Sequence, residues 1–227
     1  MPLNILHVDN HLLVVSKPAG LPVVPDESGD ESLFEQARGW IEHEYNKPGR
    51  AFLGVVHRLD RPVSGVVLFA RTSKAASRMS LAFKDRVVNK TYWALSNKAP
   101  ERSTGELEQW LLKDPKRNIV RAHSHDVPGA KLAMTRWRVL GTTGKGSNLR
   151  VLVELQPITG RSHQLRVAMA SLGAPLLGDL KYGAKDALED RSVALHARTL
   201  SFPHPTRDEE LSLSAPLPEL SIWNAAR

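Results

Sequence analysis

Apolar residues in this chain fall mostly in short clusters, broken by charged or Gly/Pro-containing turns. That spacing predicts strands more often than helices. Residues 3–8 and 12–16 flank Asp9-Asn10-His11 and read as a hairpin. Leu149, Val151, Val153 and Leu155 alternate with mostly polar neighbours, the pattern of a half-buried strand. Similar runs at 52–56, 66–70, 90–95, 132–140 and 195–202 predict further strands.

Three stretches change to helical spacing. Ser32 and Glu35 form a capping-box pair ahead of Leu33, Ala37, Trp40, Ile41 and Tyr45. Ser73 is placed to cap a second helix carrying Ala76, Met79, Ala82 and Phe83. A third is predicted from about Arg161 to Leu172, stopped by Gly173 and kept from resuming by Pro175. Consecutive strands without intervening helices favour an α+β fold with a largely antiparallel sheet over a βαβ repeat. No repeat, low-complexity tract or Gly/Ser linker marks a domain boundary, so 1–227 reads as one domain.

Composition narrows the classes. The 227 residues suffice for one large domain or two small lobes, and the absence of cysteine excludes disulfides and thiolate zinc sites. The first 13 residues are too polar for a secretory signal, and no apolar run approaches the roughly 20 residues needed to span a bilayer. A soluble, cytoplasmic, monomeric protein is the expectation. Of the formal net charge of +7, the excess lies in residues 71–150, which hold 17 basic and 6 acidic side chains. Lys/Arg gathered in one region suits a polyanion such as RNA, and equally a solvated surface; charge alone leaves both open.

Two segments carry candidate chemistry. In Val56-His57-Arg58-Leu59-Asp60-Arg61-Pro62-Val63-Ser64-Gly65 a strand ends, a charged turn follows, and Pro62 with Gly65 sets up the next strand. Arg58 and Arg61 flank Asp60 and favour its ionised form, but an Asp that merely organises a turn fits the spacing as well. In Pro157-Ile158-Thr159-Gly160-Arg161-Ser162-His163-Gln164-Leu165-Arg166, cations stand near the positive end of a predicted helix. The macrodipole opposes each by about 0.3–1 kcal/mol, so an anion must offset them, either a carboxylate or a phosphate.

Lys17-Pro18-Ala19-Gly20, His57-Arg58-Leu59-Asp60 with Ser64-Gly65, Lys90-Thr91-Tyr92 and Gly160-Arg161-Ser162-His163-Gln164-Leu165-Arg166 together resemble the RluA family of RNA pseudouridine synthases. Gly178-Asp179 with Tyr182-Gly183, and Leu195-His196-Ala197 with His204-Pro205, extend the resemblance in order from about residue 5 to 215. It implies the pseudouridine synthase fold, a mixed, mainly antiparallel central sheet in two lobes with the active cleft between them. It also implies a catalytic domain alone, without an S4-like appendage, acting on tRNA, rRNA or both, with no cofactor, metal or obligate protein partner. By the same resemblance Asp60 is the catalytic aspartate, Tyr92 packs on the target base, and Arg166 pairs with the aspartate. Arg58 fills the gap left by a flipped base, and His57 and Leu165 join it in substrate binding. Lys17 and Pro18 are more structural than catalytic. Val63 and Ala168 depart from the family's usual Thr and His, which leaves the reaction type untouched but weakens any transfer of substrate identity.

The chemistry is compatible with these residues. Breaking N1–C1′ and joining C5 to C1′ needs one ionised carboxylate, as nucleophile at C1′ or base at C2′, and the sequence leaves both routes open. The target uridine must leave its stack, so an aromatic wall such as Tyr92 is expected. Two other readings compete. A nucleosidase or glycoside hydrolase would need a second carboxylate near Asp60, and a non-catalytic RNA-binding module would leave Asp60 dispensable. His123 and His125, two apart on a strand-like segment and so facing one side, are read as surface or RNA-facing residues rather than metal ligands.

Overall fold

The computed structural model describes residues 3–46 and 48–226. It divides into two compact units: residues 1–89 with 197–217, and residues 90–196 with 218–227. Among the described residues are eleven strands and three α-helices. The α+β class follows directly from that content. No helix among them is long and apolar enough to cross a membrane.

The first unit is built on the predicted hairpin, β1 (Ile5–Val8) and β2 (Leu12–Lys17). Asp9 Oδ1 closes its turn by accepting from the N–H groups of His11 (2.7 Å) and Leu12 (2.8 Å). β2 pairs antiparallel with β4 (Ser64–Ala70), every residue of which is buried. Helix α1 (Leu33–Glu44) begins at the predicted capping box, where Ser32 and Glu35 hydrogen-bond reciprocally, and it buries Leu33, Ala37 and Ile41. Helix α2 (Ser73–Lys84) is capped one residue earlier than expected, because Thr72 rather than Ser73 accepts from the Ala75 N–H. Its Ala75 and Met79 join Leu12, Val14, Val66, Leu68, Leu200 and Phe202 in one core.

β3 (Gly54–Val55) is only two residues long, against the five expected. It pairs with β4 at Ala70 and Phe69, and the chain then departs. The N–H of buried Leu68, next along β4, donates instead to His57 Nε2 at 2.9 Å. An imidazole thus replaces the ladder bond a third β3 residue would have made. β4 also adjoins β10 (Leu195–Pro203), and β10 pairs antiparallel with β11 (Glu210–Ser214). Gly65 permits that neighbour: its φ is +119°, and a Cβ there would stand 2.3 Å from the Ala197 carbonyl oxygen.

The second unit is an antiparallel sheet ordered β5 (Asn89–Ser96), β9 (Arg150–Pro157), β8 (Lys131–Thr143), β6 (Thr104–Asp114) and β7 (Ile119–His123). β6, β7 and β11 are not among the strands expected from the sequence, although Leu211 and Leu213 of β11 do alternate with exposed neighbours. β9 is buried on both faces, with Val151, Leu152, Val153 and Leu155 all inside, so the half-buried pattern expected there is corrected.

Helix α3 (Gln164–Ser171) starts three residues later than predicted. Its N-cap, His163, has left-handed backbone (φ 52°, ψ 15°), so Arg161 lies in the approach and not in the helix. The predicted stop is observed. Gly173 (φ 69°) donates to the Ala170 carbonyl and Ala174 to the Met169 carbonyl, the paired bonds of a Schellman ending. Val167 of α3 packs with Leu111, Val120 and Ala133 of the sheet.

Candidate active site

In the first unit the segment His57–Asp60 runs irregularly from β3 to β4 and is held by contacts at both ends. At its start, the His57 ring stacks on Phe83 (centroids 4.7 Å apart, 23° between planes) while Nε2 accepts from Leu68. His57, expected to bind substrate, is therefore also a fastening of the segment. In the middle, Leu59 is buried and Arg58 exposed, an alternation that turns the guanidinium to solvent. At the end, the half-buried Asp60 accepts through its carbonyl from the Val63 N–H at 3.0 Å, closing the turn.

The next carbonyl, that of Arg61, is held from two directions. Gly20 N–H donates to it at 2.9 Å and Lys17 Nζ at 3.0 Å. Lys17 is 1% exposed, and its ammonium also donates to the carbonyls of Leu21 (2.7 Å) and Pro18 (2.9 Å). Three donors meet three acceptors. Burial pushes the Lys17 ammonium down to about 7; the negative charge of Asp60 opposes that and the positive charge of Arg61 adds to it. The structural role expected for Lys17 has a concrete form: it ties the 17–21 loop to the peptide that follows Asp60. The Arg61 side chain faces Asp26 and Asp30 and donates to the Gly20 carbonyl at 2.9 Å.

The second unit carries Tyr92, Leu165 and Arg166. Tyr92 is half-buried on β5, opposite Leu155 of β9. The approach to α3 is pinned by Gln164, whose Oε1 accepts from Thr159 Oγ1 (2.7 Å) and the Arg161 N–H (2.9 Å). Its Nε2 donates to the Met134 carbonyl (2.9 Å) and to Thr135 Oγ1 (3.0 Å). Arg161 Nε donates to the Leu132 carbonyl at 2.9 Å. Leu165 and Arg166 are both buried, 6% exposed each.

Arg166 makes a bidentate pair with Asp179: Nε to Oδ2 at 2.8 Å and Nη2 to Oδ1 at 2.7 Å. An anion offsetting the cation at the start of α3 is therefore Asp179, buried to 1% exposure. The sequence showed Gly178-Asp179 as part of the resemblance but assigned it no partner. Its signal was a carboxylate after a glycine: Gly178 has φ +79°, and a Cβ there would lie 2.4 Å from the Ser192 carbonyl oxygen. The expected residues thus divide between the units, with His57, Arg58 and Asp60 in the first and Tyr92, Leu165 and Arg166 in the second.

His123 and His125 do not share a strand. His123 ends β7, with its Nε2 buried and without a hydrogen-bond partner, and His125 lies beyond it in the following turn region. Among the described residues no three His, Asp or Glu side chains are grouped to hold a metal ion. Part of the basic charge of residues 71–150 is matched locally, through Arg136–Glu106 at 2.7 Å and Arg138–Glu154 at 3.0 Å.

Residues 11–171 match the RNA pseudouridylate synthase family. The chain is 36% identical over 220 residues to the dual-specificity RNA pseudouridine synthase RluA of Pasteurella multocida, covering 94% of this chain and 93% of that protein. It is 31% identical to the ribosomal large subunit pseudouridine synthase C of Rickettsia prowazekii, with 94% of this chain and 68% of that protein covered. Among solved structures it is similar to the human RNA pseudouridylate synthase domain containing 4. The TM-score is 0.78 at 28% identity, covering 95% of this chain and 89% of that one.

Proposed function

This chain belongs to the RNA pseudouridylate synthase family, in its RluA-type form, and from that premise we propose that it isomerises selected uridines of tRNA, large-subunit rRNA or both, with Asp60 as the essential carboxylate. Both RNA classes are considered because one relative is named dual-specificity and another acts, by its name, on the ribosomal large subunit.

The observation that carries the reading is the fastening of the Asp60 segment. His57 to Leu68 before it, and Lys17 and Gly20 to the Arg61 carbonyl after it, fix the backbone on both sides of one half-buried carboxylate. A turn aspartate kept only for its own loop needs no such outside support. A carboxylate that must meet C1′ or C2′ within a fraction of an ångström does. Arg58, exposed next to it, is free of neither charge nor planarity and suits stacking in the gap left by a flipped base. Tyr92 is the aromatic wall for that base, and Arg166 is the cation that serves the reaction from the start of α3.

The deciding experiment uses total tRNA and rRNA tritiated at uridine C5. Forming the C5–C1′ bond displaces that hydrogen to water, whereas a nucleosidase would leave free uracil and a binding module would release nothing. Asp60→Asn and Asp60→Ala are expected to abolish release while RNA affinity stays within about tenfold, because phosphate contacts dominate affinity. Near-wild-type release from Asp60→Ala refutes the assignment. Mapping pseudouridines in cells with and without the gene then identifies the uridine.

A further inference from the structure

We propose that Tyr182 is a positioning residue that fixes the guanidinium of Arg166 through its hydroxyl; the inference rests on the reading that Arg166 serves the reaction. Asp179 sets the guanidinium within its own plane by the bidentate pair. On another side the guanidinium carbon lies over the Tyr182 ring, 5.1 Å from its centroid. Asp179 and Tyr182 belong to one turn, the Tyr182 N–H donating to the Asp179 carbonyl at 3.0 Å. Two of the contacts that define Arg166 therefore move together.

The hydroxyl decides where that turn sits. Tyr182 Oη accepts from the Val120 N–H at 2.8 Å and lies 2.6 Å from His163 Nδ1. Val120 is a buried residue of β7, the last strand in this unit's order, whose N–H needs a partner from outside the sheet. His163 is the residue from which α3 departs, and it is held in left-handed backbone that a non-glycine residue seldom adopts. A single oxygen thus joins the strand behind the site, the turn that carries Asp179, and the start of the helix that carries Arg166. Packing alone would not ask for it. A phenyl ring would fill the same space beside Leu111, Val120, Ala133 and Val167.

Tyr182→Phe keeps the ring and removes the oxygen. Single-turnover tritium release from C5-labelled total tRNA and rRNA is measured for wild type, Tyr182→Phe, Arg166→Lys and the double variant. The single tyrosine change is expected to slow release about tenfold, with the half-saturating RNA concentration held within about twofold, as misplacement of a reacting group does. In the Arg166→Lys background it should cost nothing further, because the group it positions has already gone. A rate within about twofold of wild type, or an equal loss on top of Arg166→Lys, overturns the proposal. A second pair stands apart from the tyrosine. His163→Asn, which tolerates left-handed backbone and offers a polar atom to Oη, should keep the rate within about threefold, while His163→Phe should reproduce the tenfold loss. Equal behaviour of the two also overturns it. Full turnover by Arg166→Met would instead withdraw the role of Arg166 itself, a failure that the Tyr182 and His163 variants do not mimic.

Discussion

The ammonium of Lys17 lies 3.0 Å from the carbonyl oxygen of Arg61, one residue beyond Asp60. A cation that is 1% exposed has been drawn into the first unit to hold three carbonyls, one of which belongs to the turn that presents Asp60. Replacing it by Lys17→Met keeps the stem and leaves the Pro18 and Leu21 carbonyls without that donor. We expect a loss of about 2–3 kcal/mol in urea unfolding at pH 6, with turnover falling more than RNA affinity. The pH dependence has a defined sign. The folded value of about 7 lies below the ordinary 10.5, so the unfolded chain holds the extra proton between them. Wild-type stability relative to Lys17→Met should therefore rise with pH across that window and stay flat below it. A constant difference from pH 6 to 9.5 would refute the buried-ammonium account.

Arg166 and Asp179 form a buried bidentate pair, so removing the Asp179 charge takes away two charge-assisted hydrogen bonds. Asp179→Asn preserves shape but not charge, and is expected to cost about 3–5 kcal/mol. Chemical denaturation measures it. A change below about 1 kcal/mol would mean that Arg166 finds an equal partner elsewhere.

Gly65 stands where β4 meets β10. Gly65→Ala adds a Cβ 2.3 Å from the Ala197 carbonyl oxygen in a backbone of φ +119°. The Cβ is fixed by its own backbone and the Ala197 carbonyl is main chain, so neither can swing aside. A destabilisation above about 3 kcal/mol, or failure to accumulate as soluble protein, is expected. A thermal midpoint within a few degrees of wild type would contradict the close approach.

Asp9 closes the β1–β2 turn. Burial alone would raise its carboxyl, but the His11 and Leu12 N–H groups, with the His7 and His204 side chains, outweigh that and hold it well below the usual carboxylate range. Its stabilisation is therefore complete above the ordinary value of 3.8 and disappears as pH falls through the lowered one. Asp9→Asn should cost about 1–2 kcal/mol at pH 7, and the two proteins should converge in acid. Parallel pH profiles would show that the charge of Asp9 is not what matters.

Much of this protein was readable from the order of its residues because the signals are local. Ser32 and Glu35 cap a helix, Gly173 ends one, and Asp9-Asn10-His11 turns a hairpin, each through bonds that span five residues or fewer. The segment at Asp60 and the cations at 161–166 stood out for the same reason, since like charges and glycines gathered in a short stretch are visible without a fold. What the order could not contain is which distant group answers each of them. That an imidazole at position 57 would stand in for a missing β3 residue is settled by β4 running past it. That Lys17 would reach the carbonyl after Asp60, and that Asp179 would be an anion on Arg166, depends on segments 44 and 13 residues apart in sequence. The start of α3 moved to Gln164 because His163, held by Tyr182, took left-handed backbone, a tertiary constraint overriding helical spacing. Local propensity and charge are properties of the chain alone. The partner of a buried charge is chosen only when folding removes the water that would otherwise have served.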